Sequence, residues 1–228
     1  MLAAVRALFD FDDVVVTAPG GTRMLAGLST AVPAEGVTVI AGPSGAGKST
    51  MLRLCNRLEV PTSGTVVFRG DDVAGIDPLV LRRRVGMVFQ RPTPFPGTVR
   101  DNLLVARSAA TGAELHTALE RAALPADMLD RVADELSGGE AQRCCLARTL
   151  VTQPAELLMA APTAALDPTA TRTLERLARS LADDGVAVLW VTHDLAQLAR
   201  LADTRIVLAE GRLADAHRAE RYLSGAEA

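Results

Sequence analysis

The chain has 228 residues, 49% hydrophobic and 22% charged, long enough to bury a full core, as one large domain or a core with a subdomain. Its net charge of −3 gives no electrostatic footprint for nucleic acid or an anionic membrane, and no apolar run approaches the ~20 residues of a membrane span. Cys55, Cys144 and Cys145 cannot pair off evenly and read as reduced core residues of a cytosolic protein.

The segment Met1 to Arg6 lacks the charged start and long apolar core of a signal peptide. Short β-like runs follow, such as Val14-Val15-Val16 and Gly64-Thr65-Val66-Val67-Phe68, separated by Gly and Pro turns. Between them the run Val37 to Ala41 feeds Gly42-Pro43-Ser44-Gly45-Ala46-Gly47-Lys48-Ser49, with Thr50 next, and Ser49 to Leu58 reads as a helix. The pattern G-x-x-x-x-G-K-[ST] between strand and helix is a phosphate cradle. Glycines let backbone N–H groups curl around phosphates, Lys48 adds a point charge, and Ser49 offers a hydroxyl to Mg²⁺. Arg82-Arg83-Arg84 reads as a solvated helix end after Leu79-Val80-Leu81.

From Pro92 to Leu150 the pattern is helical, with amphipathic segments at Gly112 to Ala123 and Gly139 to Leu150. Ser137-Gly138-Gly139 sits just ahead of the second of these, where a hydroxyl, backbone donors and the helix dipole suit a phosphate. Strands are expected at Glu156 to Met159, Val186 to Thr192 and Thr204 to Leu208, with a helix across Pro168 to Leu181. A short strand after Gly211 and a helix at His217 to Leu223 close the chain, leaving no room for a regulatory domain. Apolar strands alternating with helices predict a mostly parallel sheet covered on both faces and interrupted by a helical insertion.

Leu136-Ser137-Gly138-Gly139-Glu140, about ninety residues beyond the glycine loop, is similar to the signature of ATP-binding cassette (ABC) ATPases. Further segments match that family in order. Gln90, after Phe89, resembles the Q-loop glutamine, which reaches Mg²⁺ and the attacking water. Ala165-Leu166-Asp167 resembles the D-loop at the dimer interface, and His193 in Trp190-Val191-Thr192-His193-Asp194 resembles the switch histidine.

The resemblance covers nearly the whole chain and implies an ABC-type nucleotide-binding domain. Its RecA-like α/β core and N-terminal antiparallel β layer would occupy residues 1–90 and 151–228, and its helical subdomain residues 91–150. It implies ATP and Mg²⁺ as ligands. It also implies a homodimer or heterodimer in which Ser137, Gly138, Gly139 and Asp167 face the partner's ATP. Transmembrane permease subunits would dock through Gln90 to Val99, placing the chain at the cytoplasmic face of the membrane without inserting into it, and with no nucleic acid partner.

Three departures qualify that expectation. Leu157-Leu158-Met159-Ala160-Ala161-Pro162-Thr163 aligns with a Walker B strand whose last residues in the family are Asp, which holds Mg²⁺ through its water shell, and Glu, which polarises the attacking water. Alanine does neither. Two adjacent replacements beside an intact Pro162-Thr163 read as targeted inactivation, with a natural non-hydrolysing ATPase as the alternative. ATP binding without brisk hydrolysis and a weakened Mg²⁺ dependence are expected. Ala18 stands where the family places an aromatic on the adenine ring; Phe9 and Phe11 nearby read as core, so ATP and GTP should be poorly distinguished. Ala141, replacing a common Gln after Glu140, should matter little.

Pro92-Thr93-Pro94-Phe95-Pro96 is similar to the corresponding run of phosphate-importer ATPase subunits, making phosphate or a similar inorganic ion the favoured cargo. The alternative is a nucleotide-gated module in a heterodimer or regulatory complex, closing on ATP without turnover. A soluble DNA-repair or cluster-assembly ABC protein ranks third.

Overall fold

The computed structural model describes residues 7–226, so the expectation about the first six residues lies outside the described part. Two sheets carry the chain. The first is antiparallel: β1 (Ala7–Thr17) lies between β2 (Arg23–Pro33) and β4 (Ser63–Phe68), and the short β5 (Asp71–Asp72) extends it past β4. The second contains β3 (Val37–Ala41), β6 (Val85–Val88), β7 (Glu156–Ala160), β8 (Ala187–Val191), β9 (Thr204–Ala209) and β10 (Arg212–Leu213). Its spatial order is β10-β9-β3-β8-β7-β6, parallel throughout except for β10.

All five residues of β3 and of β8 are buried, as expected of parallel strands covered on both faces. Their side chains alternate between two cores. Val37, Val39, Val188, Trp190, Leu157 and Met159 point to the helical side; Ile40, Leu189, Val191 and Leu158 point to the core shared with the antiparallel sheet. The second core also takes Phe9, Phe11 and Phe68, so both N-terminal phenylalanines are structural.

The helix after the glycine loop, α1 (Lys48–Leu54), ends four residues earlier than the expected Leu58. Arg57 adopts a left-handed φ of 54°, and the Leu58 N–H returns to the Arg53 carbonyl at 2.9 Å, a Schellman-like stop. Then α2 (Pro78–Arg84) is capped by Asp77, whose Oδ1 accepts from the Leu79 and Val80 N–H groups, and Arg82, Arg83 and Arg84 form its exposed end.

Between β6 and β7 lie α3 (Val99–Ala106), α4 (Gly112–Arg121), α5 (Gly138–Leu150) and two short 3₁₀ turns. Each of these three α-helices begins with a reciprocal capping box: Thr98 with Asp101, Thr111 with Glu114, and Ser137 with Glu140. The chain continues through α6 (Pro168–Asp183), α7 (Leu195–Leu201) and α8 (Ala216–Leu223). The three cysteines are free and buried, and burial pushes the Cys144 thiol up to about 11. Among the described residues no helix is long and apolar enough to cross a membrane.

Candidate functional site

Parallel order assembles the site. The loops leaving the C-terminal ends of β3, β8, β7 and β6 all open on the same sheet edge, the usual place for ligands in an open α/β sheet. They carry respectively the glycine loop, His193, Ala161 and Gln90. One cavity of about 380 Å³ is lined by Ser44, Lys48, Ser49, Gln90, Ala161 and His193, with Met24, Gly45, Ala46, Gly47 and Thr50, whereas Gly42 and Pro43 at the start of the loop do not line it.

The loop needs its glycines for space as well as for φ. A Cβ on Gly42, at φ 141°, would meet the Leu208 carbonyl oxygen at 2.1 Å; one on Gly47, at φ 96°, would meet the Met24 carbonyl oxygen at 2.6 Å. The half-buried Lys48 donates from Nζ to the Gly42 and Pro43 carbonyls, both at 2.7 Å, and burial lowers its pKa. That holds the ammonium at the mouth of the loop.

Ala160 is the last residue of β7 and pairs with Val191 of β8; Ala161 follows in a left-handed conformation, φ 47°. Among the described residues no Asp or Glu lines the cavity that contains Lys48. Ser49 and Gln90 contribute only neutral oxygens, and Mg²⁺ in phosphate sites normally rests on one or two carboxylates together with waters and substrate phosphates. Beside an ammonium, this donor set does not fit a resident Mg²⁺ site.

The loop that carries His193 is held from behind by a buried polar network. Gln197 Oε1 accepts from Trp190 Nε1 at 2.9 Å, and Gln197 Nε2 donates to Glu175 Oε1 at 3.0 Å and to Thr163 Oγ1 at 3.1 Å. Arg200 closes the network on both Glu175 oxygens at 2.9 and 2.6 Å, and with the Gln197 bond it holds that carboxyl below its ordinary range despite burial. The loops after β7 and β8 are thereby tied together. Sequence reading missed this group, because Glu175 reads as one polar position of the Pro168 to Leu181 helix and Gln197 falls between the expected strands, in a stretch given no helix.

Ser137, Gly138, Gly139 and Asp167 do not share the Lys48 cavity. They line a second opening of about 690 Å³ with Ala165 and Leu166. Asp167 caps α6 through the Thr169 and Ala170 N–H groups at 2.8 and 2.9 Å, and these bonds hold its carboxyl below the usual range. Ser137 Oγ accepts from the Glu140 N–H at 3.3 Å, and hydrogen bonds from the Ser137 hydroxyl and N–H hold the Glu140 carboxyl below its ordinary range. Within one chain, then, the Ser137 cluster and the glycine loop stand apart.

A third hollow, about 320 Å³, contains Phe89, Phe95, Val105 and Arg148. Phe95 is 44% exposed yet fixed: Asn102 Oδ1 accepts its N–H at 2.7 Å, Asn102 Nδ2 donates to its carbonyl at 2.9 Å, and the Arg148 guanidinium lies 4.4 Å from its ring centroid. The fully buried Gln142 of α5 donates to the Phe89 carbonyl at 3.0 Å, joining the helix that follows Ser137 to the strand end that carries Gln90. Ala18, in the turn between β1 and β2, does not line the Lys48 cavity, whereas Met24 does.

Comparison with known proteins places this geometry. The family pattern described as ABC transporter matches residues 25–164. The chain is 42% identical over 200 residues to Protein STAR1 of Oryza sativa subsp. japonica, covering 86% of this chain and 58% of that protein. It is 41% identical over 222 residues to Phosphate import ATP-binding protein PstB 2 of Mycobacterium tuberculosis, covering 90% of this chain and 79% of that protein. Its fold is similar to cbiO1 from Clostridium perfringens, part of the ABC transporter complex cbiONQ, with a TM-score of 0.84 at 25% identity over 92% of this chain and 87% of that one.

Proposed function

The chain belongs to the ABC transporter family, and from that premise we propose that it is an ATP-binding, energy-coupling subunit that closes as a dimer around nucleotide and hydrolyses it slowly. One observation carries the reading: glycine loop, Lys48, Gln90 and His193 line a single cavity in which no carboxylate stands. Lys48, Ser49 and the loop N–H groups would hold phosphates, with His193 and Gln90 near the terminal one. No carboxylate in the cavity is there to take a proton from an attacking water as the missing glutamate does in the family, a loss that typically costs about 10²–10⁴-fold.

Ser137, Gly138, Gly139 and Asp167, turned away from the chain's own glycine loop, suit the phosphate held by a second subunit. The hollow around Phe89 and Phe95 suits a helix from a transmembrane permease, with Phe95 as a preset aromatic contact. Phosphate or a similar inorganic ion is the cargo we favour, on the Pro92 to Pro96 run and the 41% identity to PstB 2. The alternative, a nucleotide-gated module in a heterodimer or regulatory complex, draws on the same pairing of a carboxylate-free cavity with a complete Ser137 face.

Equilibrium binding tests the reading. ATP should bind the chain, and Lys48→Ala should abolish binding. GTP should bind within about threefold of ATP, because no aromatic supplies the ~1–3 kcal/mol of base stacking. No ATP binding would sink the proposal; a strong preference for ATP over GTP would sink the base-site part alone.

A further inference from the structure

Building on the ATP-binding reading above, we infer that this cavity takes the nucleotide as the metal-free tetraanion, so that Mg²⁺ is dispensable for binding and competes with the protein for the phosphates. Counting lysines and carboxylates alone, the cavity carries one positive charge, from Lys48, and no negative one. A Glu at position 161, on the cavity wall, would bring that count to zero, and an Asp at position 160, at the strand end beside the wall, would bring it to one net negative. In that state a divalent cation bridges two repulsive partners, the carboxylates and the phosphates. With alanines there is nothing anionic on the protein side to bridge.

Mg²⁺ arriving on the nucleotide would then gain only the Ser49 hydroxyl and the Gln90 carboxamide, and it is a hard cation that sheds water reluctantly. It would also neutralise the phosphate charge that faces a half-buried ammonium, whose desolvation strengthens its attraction for an anion. Ala161 adds a geometric reason. Its left-handed turn after β7 presents a methyl group to the cavity where the family presents a carboxylate.

The test is calorimetric titration of the chain with ATP at matched ionic strength, once in excess EDTA and once in excess Mg²⁺, repeated on Ala160→Asp. The expected result is an affinity in EDTA equal to, or up to about tenfold tighter than, that in Mg²⁺. For Ala160→Asp the order should reverse, with Mg²⁺ tightening binding. Weakening in EDTA by about threefold or more in the unsubstituted chain overturns the inference, as does an Ala160→Asp variant indifferent to Mg²⁺. Absence of ATP binding in both buffers removes the nucleotide reading along with the inference, and so separates the two failures.

Discussion

Replacing Ala160 by Asp and Ala161 by Glu together is expected to raise MgATP turnover by about 10²–10⁴-fold. The backbone is in place for both side chains. Ala160 is anchored by its pairing with Val191, and the Ala161 N–H returns to the Met159 carbonyl at 3.1 Å, fixing the turn that aims position 161 into the cavity. The left-handed φ of 47° is already borne by a residue with a Cβ, so glutamate adds no further backbone penalty. The rest of the cavity, Lys48, Ser49, Gln90 and His193, needs no change. Steady-state phosphate release from the two proteins side by side gives the answer. Equal rates would mean that the carboxylates are not what limits this chain.

Arg69→Ala should destabilise the fold by about 3 kcal/mol at neutral pH. Glu156 opens β7 with its side chain fully buried; its Oε1 accepts from Arg69 Nε at 2.8 Å and from Arg69 Nη2, while its Oε2 is buried without a partner. The low end of the range for a broken buried pair applies because Arg69 is itself 30% exposed. Burial pushes the Glu156 carboxyl above its ordinary range, with Arg69 opposing the rise. A raised folded-state value makes protonation favour the fold, so the contribution of this group is greatest below the ordinary carboxylate range and is lost as pH rises through the raised value. The cost of Arg69→Ala should therefore shrink on moving from pH 7 toward pH 5, where the uncompensated charge is titrated away. Urea unfolding at both pH values measures it; a loss below about 1 kcal/mol at pH 7 would show that Arg69 does not compensate the buried charge.

The phosphate loop was legible because its chemistry is local: glycines, lysine and serine act over eight consecutive residues between a strand and a helix. Gln90 and His193 were legible only as strand-end residues in a familiar order. That they reach the Lys48 cavity depends on β3 lying beside β8, and β7 beside β6, an arrangement of distant segments that no periodicity encodes. β2 escaped notice because Gly27, Ser29 and Thr30 break its alternation and bulges shift its register against β1. Gln142, Asn102 and Gln197 escaped for another reason. A buried amide that satisfies a neighbouring backbone or indole group looks, in sequence, like a polar residue bound for solvent.

The fate of bound nucleotide decides whether this chain holds ATP without cleaving it. The chain would be loaded with a stoichiometric amount of labelled ATP in Mg²⁺ buffer, held for many ordinary turnover times, separated from free ligand, and its bound nucleotide identified. Retained, uncleaved ATP is the predicted result, since on the proposed reading the cavity would hold phosphate through Lys48 and the loop, and no carboxylate is among its described lining residues. Bound ADP formed on the time scale of ordinary enzymes, near 1 s⁻¹, would contradict it.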